Sequence, residues 1–167
     1  YRYAPHHSQL RQIIKDGTIG DVKQIHFEWL LNTSHGADYF RRWHRDKRNS
    51  GGLMVHKATH HFDLVNFWIN SFPVKVYAQG GLKFYGRENA EERGVTKFYY
   101  RSYGSENAKG DPFAMNIAVG GNKDLYFDCE KDDGYLRDQS VFGDGISIED
   151  TMNLVVQYAS GCQMSYS

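Results

Sequence analysis

Three histidines, a lysine and an aspartate lie close together in residues 55–68, VHKATHHFDLVNFW, whose apolar spacing otherwise predicts an amphipathic helix. Polar side chains in such a segment lose hydration, and this cost requires hydrogen bonds or a chemical role in return. On one continuous helix from 53 to 69, His56, His60 and Asp63 are spaced i, i+4 and i+7. This spacing places the three side chains on one helix face.

That face suits proton transfer, because imidazole titrates near neutral pH. Lys57, on the neighbouring stripe, would lower the pKa of a nearby histidine by charge repulsion and keep it basic. His56, His60 and Asp63 are alternatively two imidazoles and a carboxylate for a metal ion, although the glutamate of an H-E-x-x-H motif is absent. In a third interpretation the histidines cap the helix and face water. The spacing leaves all three interpretations open.

A second candidate group lies in residues 35–48, HGADYFRRWHRDKR, where aromatic and basic side chains alternate. An aromatic face can stack on the C–H surface of a sugar, and arginine can bind a hydroxyl or a carboxylate. We therefore predict substrate-binding roles for Tyr39, Arg42, Trp43 and His44. Arg137 joins them if its segment folds over the pocket; the alternative is a surface ion pair with Asp138.

Composition narrows the classes of partner. Lys plus Arg and Asp plus Glu both count 20, so the formal net charge is zero, which argues against a nucleic-acid or anionic-membrane surface. No apolar run approaches the roughly 18 residues of a membrane span. No signal peptide is visible, and Cys129 and Cys162 form no C-x-x-C pattern, so we expect a cytoplasmic protein with reduced thiols. The start without Met and the strand-like end predict a fragment of a longer protein.

Apolar periodicity and turn residues predict an α+β fold. It consists of an open, mainly antiparallel sheet with helices on one face, and its free face is a natural interface for a homo-oligomer. We expect one substrate-binding and oligomerisation domain over 1–167, with an insertion at about 86–145. The predicted elements are helices at 6–16, 53–69 (with Ser50 as N-cap), 87–93 and 123–131, strands at 21–31 and from 73 to Gly80-Gly81 or beyond, a polar connection at 32–50, and a hairpin turning at 159–161.

Three segments together resemble the C-terminal half of the glucose–fructose oxidoreductase / inositol dehydrogenase family (Gfo/Idh/MocA). They are YRYAPHHSQLRQIIKDGTIGDVKQIHFEW, GGLMVHKATHHFDLVNFW and GISIEDTMNLVVQYASGCQMSYS. The Gly-Gly turn followed by H-x-x-D is the most specific part. The resemblance implies an NAD(P)-dependent oxidoreductase acting on a sugar, a polyol or a related hydroxy compound. It also implies an α+β second domain whose free sheet face often forms a dimer interface.

Matched position by position, the resemblance places the family's catalytic histidine on His60 and the following aspartate on Asp63. His56 stands where the family usually has an aspartate, and Lys57 where it has a small or apolar residue, so both would orient His60 or tune its pKa. The chain has no G-x-G-x-x-G turn for a dinucleotide phosphate. NAD or NADP would therefore be bound mainly by an N-terminal domain outside this chain, and we expect the chain alone to be inactive.

Two other functions fit the same residues. One is a glycoside-cleaving or lyase relative that depends on NAD or on a metal at His56, His60 and Asp63. The other is a non-catalytic module for ligand binding and dimerisation.

Overall fold

The computed structural model describes all 167 residues. Its helices are α1 (Pro5–Lys15), α2 (Thr33–Arg41), α3 (Lys47–Ser50), α4 (Leu53–His56), α5 (Thr59–Ile69), α6 (Arg87–Glu92), α7 (Gly120–Asn122) and α8 (Glu130–Asp133). Its strands are β1 (Gln24–Phe27), β2 (Pro73–Gly81), β3 (Thr151–Tyr158) and β4 (Gln163–Tyr166). Shorter turns are 3₁₀-helical at Trp43–Arg45 and Glu106–Ala108 and π-helical at Lys123–Phe127. None of the helices combines the length and the apolar character that crossing a membrane would need.

The chain forms two compact units. The first unit contains Tyr1–Leu30, Leu53–Gly81 and Thr151–Ser167, and the second contains Leu31–Gly52 and Leu82–Asp150. The second unit includes the stretch that the sequence predicts as an insertion, together with the segment predicted as a polar connection. The single-domain description stays a prediction.

The first unit is built on a four-stranded sheet with the order β1-β4-β3-β2. β1 pairs with β4 in parallel, whereas β4 with β3 and β3 with β2 pair antiparallel. The alternation in β3 orients the sheet, since Leu154, Val156 and Tyr158 are buried while the residues between them are exposed. The prediction of an open, mainly antiparallel sheet is confirmed.

Helix α5 covers the buried face of this sheet. Ala58 and Val65 belong to one apolar cluster with Leu154, Met164 and Tyr166 of the strands. Each large apolar side chain that is removed from water in such a cluster contributes about 1.5–3 kcal/mol. In β3 every second side chain is buried, so the buried side chains share one face of the sheet. The helices pack on that face, as the sequence predicts.

Several predicted boundaries are wrong. The strand predicted at 21–31 is four residues long, because β1 pairs with β4 only between Gln24 and Phe27. The polar connection at 32–50 is largely helical: Asn32 caps α2 by accepting the Ser34 N–H, and Tyr39 and Phe40 are buried. Apolar burial organises this segment in spite of its high charge.

The helix predicted at 53–69 is interrupted. It consists of α4 and α5, and the Ala58 N–H donates to the Leu53 carbonyl five residues earlier. Ser50 does not cap this helix. It ends α3, donates its hydroxyl to the His44 carbonyl and accepts the Gly52 N–H.

Other elements agree with the sequence. α1, α6 and the hairpin between β3 and β4 lie where they are predicted, and β2 ends at Gly81. Asn70 ends α5 with a positive φ of 49°. The π-helical turn and α8 together account for the helix predicted at 123–131.

The predicted Gly51-Gly52 turn allows a direct test of steric constraint. Gly52 has φ +86°, and a Cβ there would lie 2.5 Å and 2.6 Å from the carboxylate oxygens of buried Glu149. Gly94 has nearly the same φ, +84°, but open space around its Cα. Gly94→Ala should cost about 1–2 kcal/mol of unfolding free energy from backbone strain, and Gly52→Ala should cost clearly more. Urea unfolding of both variants measures the difference, and equal losses would contradict the proposed clash.

Candidate functional site

His61 is a structural residue that fixes helix α5 in the first unit. It is buried, and its Nδ1 lies 2.9 Å from the Tyr166 hydroxyl. Its ring is stacked on Phe27 at a centroid distance of 4.8 Å. Burial, followed by the charges of His60 and Lys57, lowers the pKa of His61, so the imidazole is neutral at physiological pH. The sequence assigned no such role to His61.

His60 is exposed although its neighbour is buried. The aromatic ring of Tyr1 lies at a centroid distance of 5.6 Å from the His60 ring. Consecutive helix residues are rotated by about 100°, so the position that buries His61 turns His60 towards solvent. His60 is thus an imidazole on a firmly held helix start, in a position where a ligand can reach it.

Asp63 lies one turn beyond His60 and is bound by Arg2. Arg2 Nε donates to one carboxylate oxygen at 2.9 Å, and Arg2 Nη2 donates to the other. The hydrogen bond from Arg2 lowers the pKa of Asp63 against a smaller opposing effect of burial, and the charge of His60 lowers it further. Asp63 is therefore ionised at neutral pH, and its negative charge lies in the first turns of α5.

His56 and Lys57 stand at the break between α4 and α5, and both are half-buried. The expectation that His56 and His60 share a face of one continuous helix is wrong, because the backbone hydrogen bonds change register at Ala58. The structure contains no group of three or more His, Cys, Asp or Glu side chains arranged to hold a metal ion. The alternative ligand set His56, His60 and Asp63 is thus not assembled. Orienting roles for His56 and Lys57 stay predictions.

In the second unit, Asp38 joins two of the predicted substrate-binding arginines. Its carboxylate accepts hydrogen bonds from Arg42 Nη1 at 3.1 Å and from Arg137 Nη1 at 2.8 Å. Burial acts to raise the pKa of Asp38, but the hydrogen bonds and charges of Arg137 and Arg42 outweigh it and lower the pKa. Arg41, mostly buried, is 3.6 Å from the same carboxylate. Three guanidinium groups thus surround one carboxylate.

The alternative ion pair between Arg137 and Asp138 does not form. Arg137 turns to Asp38 and lies over the Tyr126 ring at 5.0 Å, whereas the fully buried Asp138 is 2.7 Å from Arg101. Neighbouring residues therefore serve two separate arginine networks. The position of Arg137 beside Arg42 is compatible with its predicted role in substrate binding, which stays a prediction.

The predicted aromatic residues differ in exposure. Trp43 is 42% exposed and stacks on His44 at 3.8 Å, whereas Tyr39 and His44 are buried and meet edge to face at 6.1 Å. Of these three, Trp43 offers a surface to a ligand, while Tyr39 and His44 support it from within. Substrate contacts by Tyr39, Trp43 and His44 stay predictions.

Two residues that organise the site were missed by the sequence reasoning. Asp38 precedes Arg42 by four residues, a spacing that favours an ion pair on a helix, and this signal would have been visible once α2 was recognised. His61 gave no comparable signal, because the sequence did not show which of the adjacent histidines faces the core.

The first unit is thus a mixed α/β arrangement: an open sheet with helices on one face, and an exposed histidine on a helix anchored to that sheet. The chain lacks the strand–glycine turn–helix unit of a dinucleotide-binding domain. Residues 11–167 match the family GFO_IDH_MocA_C, described as "Oxidoreductase family, C-terminal alpha/beta domain". The chain belongs to this oxidoreductase family, and the resemblance seen in its sequence is confirmed.

Two curated relatives of the chain are named as an oxidoreductase and a dehydrogenase. The chain is 37% identical over 181 residues to "Putative oxidoreductase YteT" of Bacillus subtilis (strain 168), an alignment covering 100% of this chain and 41% of that protein. It is 31% identical over 77 residues to "Inositol 2-dehydrogenase" of Rhizobium meliloti (strain 1021), covering 46% of this chain and 21% of that protein. The chain therefore spans less than half of the length of the first relative, and its match covers about a fifth of the second.

Solved structures share the fold. An oxidoreductase domain protein from Kribbella flavida has a TM-score of 0.55 and 15% sequence identity, covering 99% of this chain and 33% of that chain. An aldose-aldose oxidoreductase from Caulobacter crescentus, complexed with glycerol, has a TM-score of 0.51 and 13% identity, covering 99% of this chain and 32% of that chain. At these identities the likeness concerns the fold alone.

The arrangement around Asp38 predicts a pH-dependent stability. Asp38→Asn should lower the unfolding free energy by about 1.5–3 kcal/mol at neutral pH, because two charge-assisted hydrogen bonds weaken. The folded-state pKa of Asp38 lies below the usual 3.8, so its contribution is complete above about pH 4 and is lost as the pH falls through the folded pKa. Urea unfolding of both proteins between pH 7 and pH 2 tests this expectation.

Asp21→Asn is the matched control, because Asp21 and its partner Lys23 are 87% and 81% exposed in their side chains. It should change stability by less than about 0.5 kcal/mol. An Asp38→Asn loss that persists undiminished at pH 2 would contradict the electrostatic explanation.

Proposed function

We propose that this chain is the substrate-binding and oligomerisation domain of an NAD(P)-dependent oxidoreductase that acts on a sugar, a polyol or a related hydroxy compound. Family membership supports the reaction class. The inositol dehydrogenase among its curated relatives supports the substrate class. A cytoplasmic location, predicted from the sequence, belongs to the same proposal.

The nicotinamide cofactor is placed mainly on an N-terminal domain outside this chain. The residues present do not fit its pyrophosphate, because the chain has no glycine-rich turn between a parallel strand and a helix. Fluorescence titration with NADH supports this part of the proposal if a protein containing both domains binds and the present chain alone does not. Tight binding by the present chain alone, or no binding by either protein, would overturn it.

His60 is the proposed proton-transfer residue. The observation that carries this role is the contrast between two adjacent histidines, one locked in the core and the other exposed on the same helix turn. His60 takes the proton from the reacting hydroxyl of the substrate in oxidation, or returns it to the carbonyl oxygen in reduction. Asp63, held ionised by Arg2, stabilises the imidazolium that forms after proton uptake.

Replacing the imidazole tests this role. In the protein containing both domains, His60→Gln should lower kcat about 10²–10⁴-fold, because proton transfer by a positioned side chain contributes a factor of this size. NADH affinity should not change. The measurement is steady-state oxidation of a panel of sugars and polyols by the parent and the variant, with kcat and KM determined separately.

His35→Gln is the control, since His35 is also exposed and has no proposed role. Full activity of His60→Gln, or an equal loss in both variants, would contradict the assignment. If the parent binds a ligand without turning over any substrate and His60→Gln loses that binding, the chain is a non-catalytic binding module instead.

The free face of the sheet supports the oligomerisation role. The strand registers place Tyr77 opposite Val155 on this face, and these side chains are 65% and 51% exposed. The neighbouring positions on the face are mostly uncharged: Gln24, His26, Lys75, Gln79, Asn153, Gln157, Gln163 and Ser165. Depletion of charge around an exposed tyrosine is typical of protein interfaces.

A charge placed on this face should therefore separate the subunits. Tyr77→Glu should convert the proposed homo-oligomer into monomers, because an unpaired carboxylate would be desolvated in the contact. Sedimentation velocity at micromolar concentration measures the mass of each species. Tyr100→Glu, which changes a tyrosine that is 69% exposed in the second unit, should leave the assembly intact. A monomeric parent, or a Tyr77→Glu variant that stays assembled, would contradict the proposal.

A further inference from the structure

The second unit contains a cavity whose lining includes none of the candidate site residues around His60 and Asp38. It encloses about 400 Å³, within the range of small-molecule sites. Its floor is formed by Phe84, Phe113 and Phe142, all half-buried, whose rings meet edge to face at centroid distances of 5.3–6.0 Å. Such packing makes a firm apolar surface.

Cationic side chains stand around this floor. Arg93 lies over Phe84 with its Cζ 4.4 Å from the ring centroid, and 5.5 Å from the centroid of Phe142. Lys97 and Lys109 line the same cavity and are exposed. Because aromatic faces rather than a carboxylate hold Arg93, its guanidinium group remains able to bind an incoming anion.

Asp111, the one carboxylate that lines the cavity, is already bound within the protein. It accepts the Tyr99 hydroxyl at 2.5 Å and the Phe113 N–H at 2.8 Å. Burial, followed by the hydrogen bond to Asp111, raises the pKa of Tyr99, so this hydroxyl stays protonated and donates. These neutral donors leave Asp111 its negative charge, but the three cations of the lining outnumber it.

Charge outside the lining compensates only one of these cations. Lys109 is 2.6 Å from Glu106, whereas Arg93 and Lys97 remain as two positive charges against Asp111. The cavity thus combines an apolar floor with a net positive mouth, and charge complementarity selects an anion.

We propose that this cavity binds a small organic carboxylate with an apolar ring, the carboxylate on Arg93 and Lys97 and the ring against the phenylalanine floor. The two parts of the ligand correspond to the two parts of the cavity. An anion without an apolar body would leave the floor wet, and a neutral ring would leave the cations without a partner. This site is independent of the proposed dehydrogenase function.

Phenylacetate and its neutral isostere phenylacetamide test the proposal on the present chain. Saturation-transfer NMR and ¹⁵N-resolved titrations should show phenylacetate binding with Kd of about 1 mM, as expected for a ligand of this size. The perturbed amides should lie near Phe84, Arg93, Phe113 and Phe142. Phenylacetamide should bind about tenfold or more weakly, because it lacks the charge-assisted hydrogen bonds.

Arg93→Gln removes the charge at an exposed position and should weaken phenylacetate about tenfold without changing phenylacetamide. Arg93→Lys should restore part of the affinity, and thermal melting verifies that each variant folds. Lys131→Gln, an exposed lysine on α8 outside the cavity, should bind as the parent does. Equal affinity for the two probes, no binding of phenylacetate at 20 mM, or full binding by Arg93→Gln would each overturn the proposal.

Discussion

The first unit depends on how one histidine is buried. His61 enters the apolar layer between α5 and the sheet, and this is tolerated because its Nδ1 meets the Tyr166 hydroxyl and its ring stacks on Phe27. The contact ties the helix to two different strands and sets the rotation of α5 about its axis. With that rotation set, His60 turns to solvent and Asp63 is placed where Arg2 binds it. The position of the exposed His60 imidazole is thus a consequence of core packing.

Much of the fold was predictable from local pattern. The alternation in β3, the hairpin turn before β4 and the Gly-Gly turn before α4 were all visible, because each is specified by neighbouring residues. The break at Ala58 was not predictable from periodicity, because α4 and α5 have compatible apolar spacing and the interruption lies in the backbone hydrogen bonds. The helices within 32–50 were missed for a different reason: charge dominates this segment, and its large apolar side chains are few.

The candidate site was predicted from residue types more than from their partners. His60 and Asp63 were chosen through their spacing and the family resemblance, and Arg42 and Arg137 through their chemistry; the roles of all four stay predictions. Asp38, the carboxylate that joins both arginines, was missed for two reasons. Its i, i+4 spacing to Arg42 is informative only once α2 is recognised as a helix, and its contact with Arg137 joins residues 99 positions apart. A formal net charge of zero likewise concealed an uneven distribution, with three guanidinium groups around Asp38 and a cationic mouth at the phenylalanine floor.

The parallel pairing of β1 with β4 has a consequence for how the molecule forms. His26 and Ser165, which face each other across these strands and join side chains at 2.8 Å, are 139 positions apart in the sequence. All residues of the second unit precede Thr151, so a ribosome delivers that unit complete before the last two strands exist. The first unit has to wait, with β1 lacking its neighbour, until almost the whole chain has emerged. Such long-range closure slows folding and leaves strand edges exposed to aggregation in the interval. During synthesis the second unit should therefore fold before the first unit, although the first unit begins earlier in the sequence.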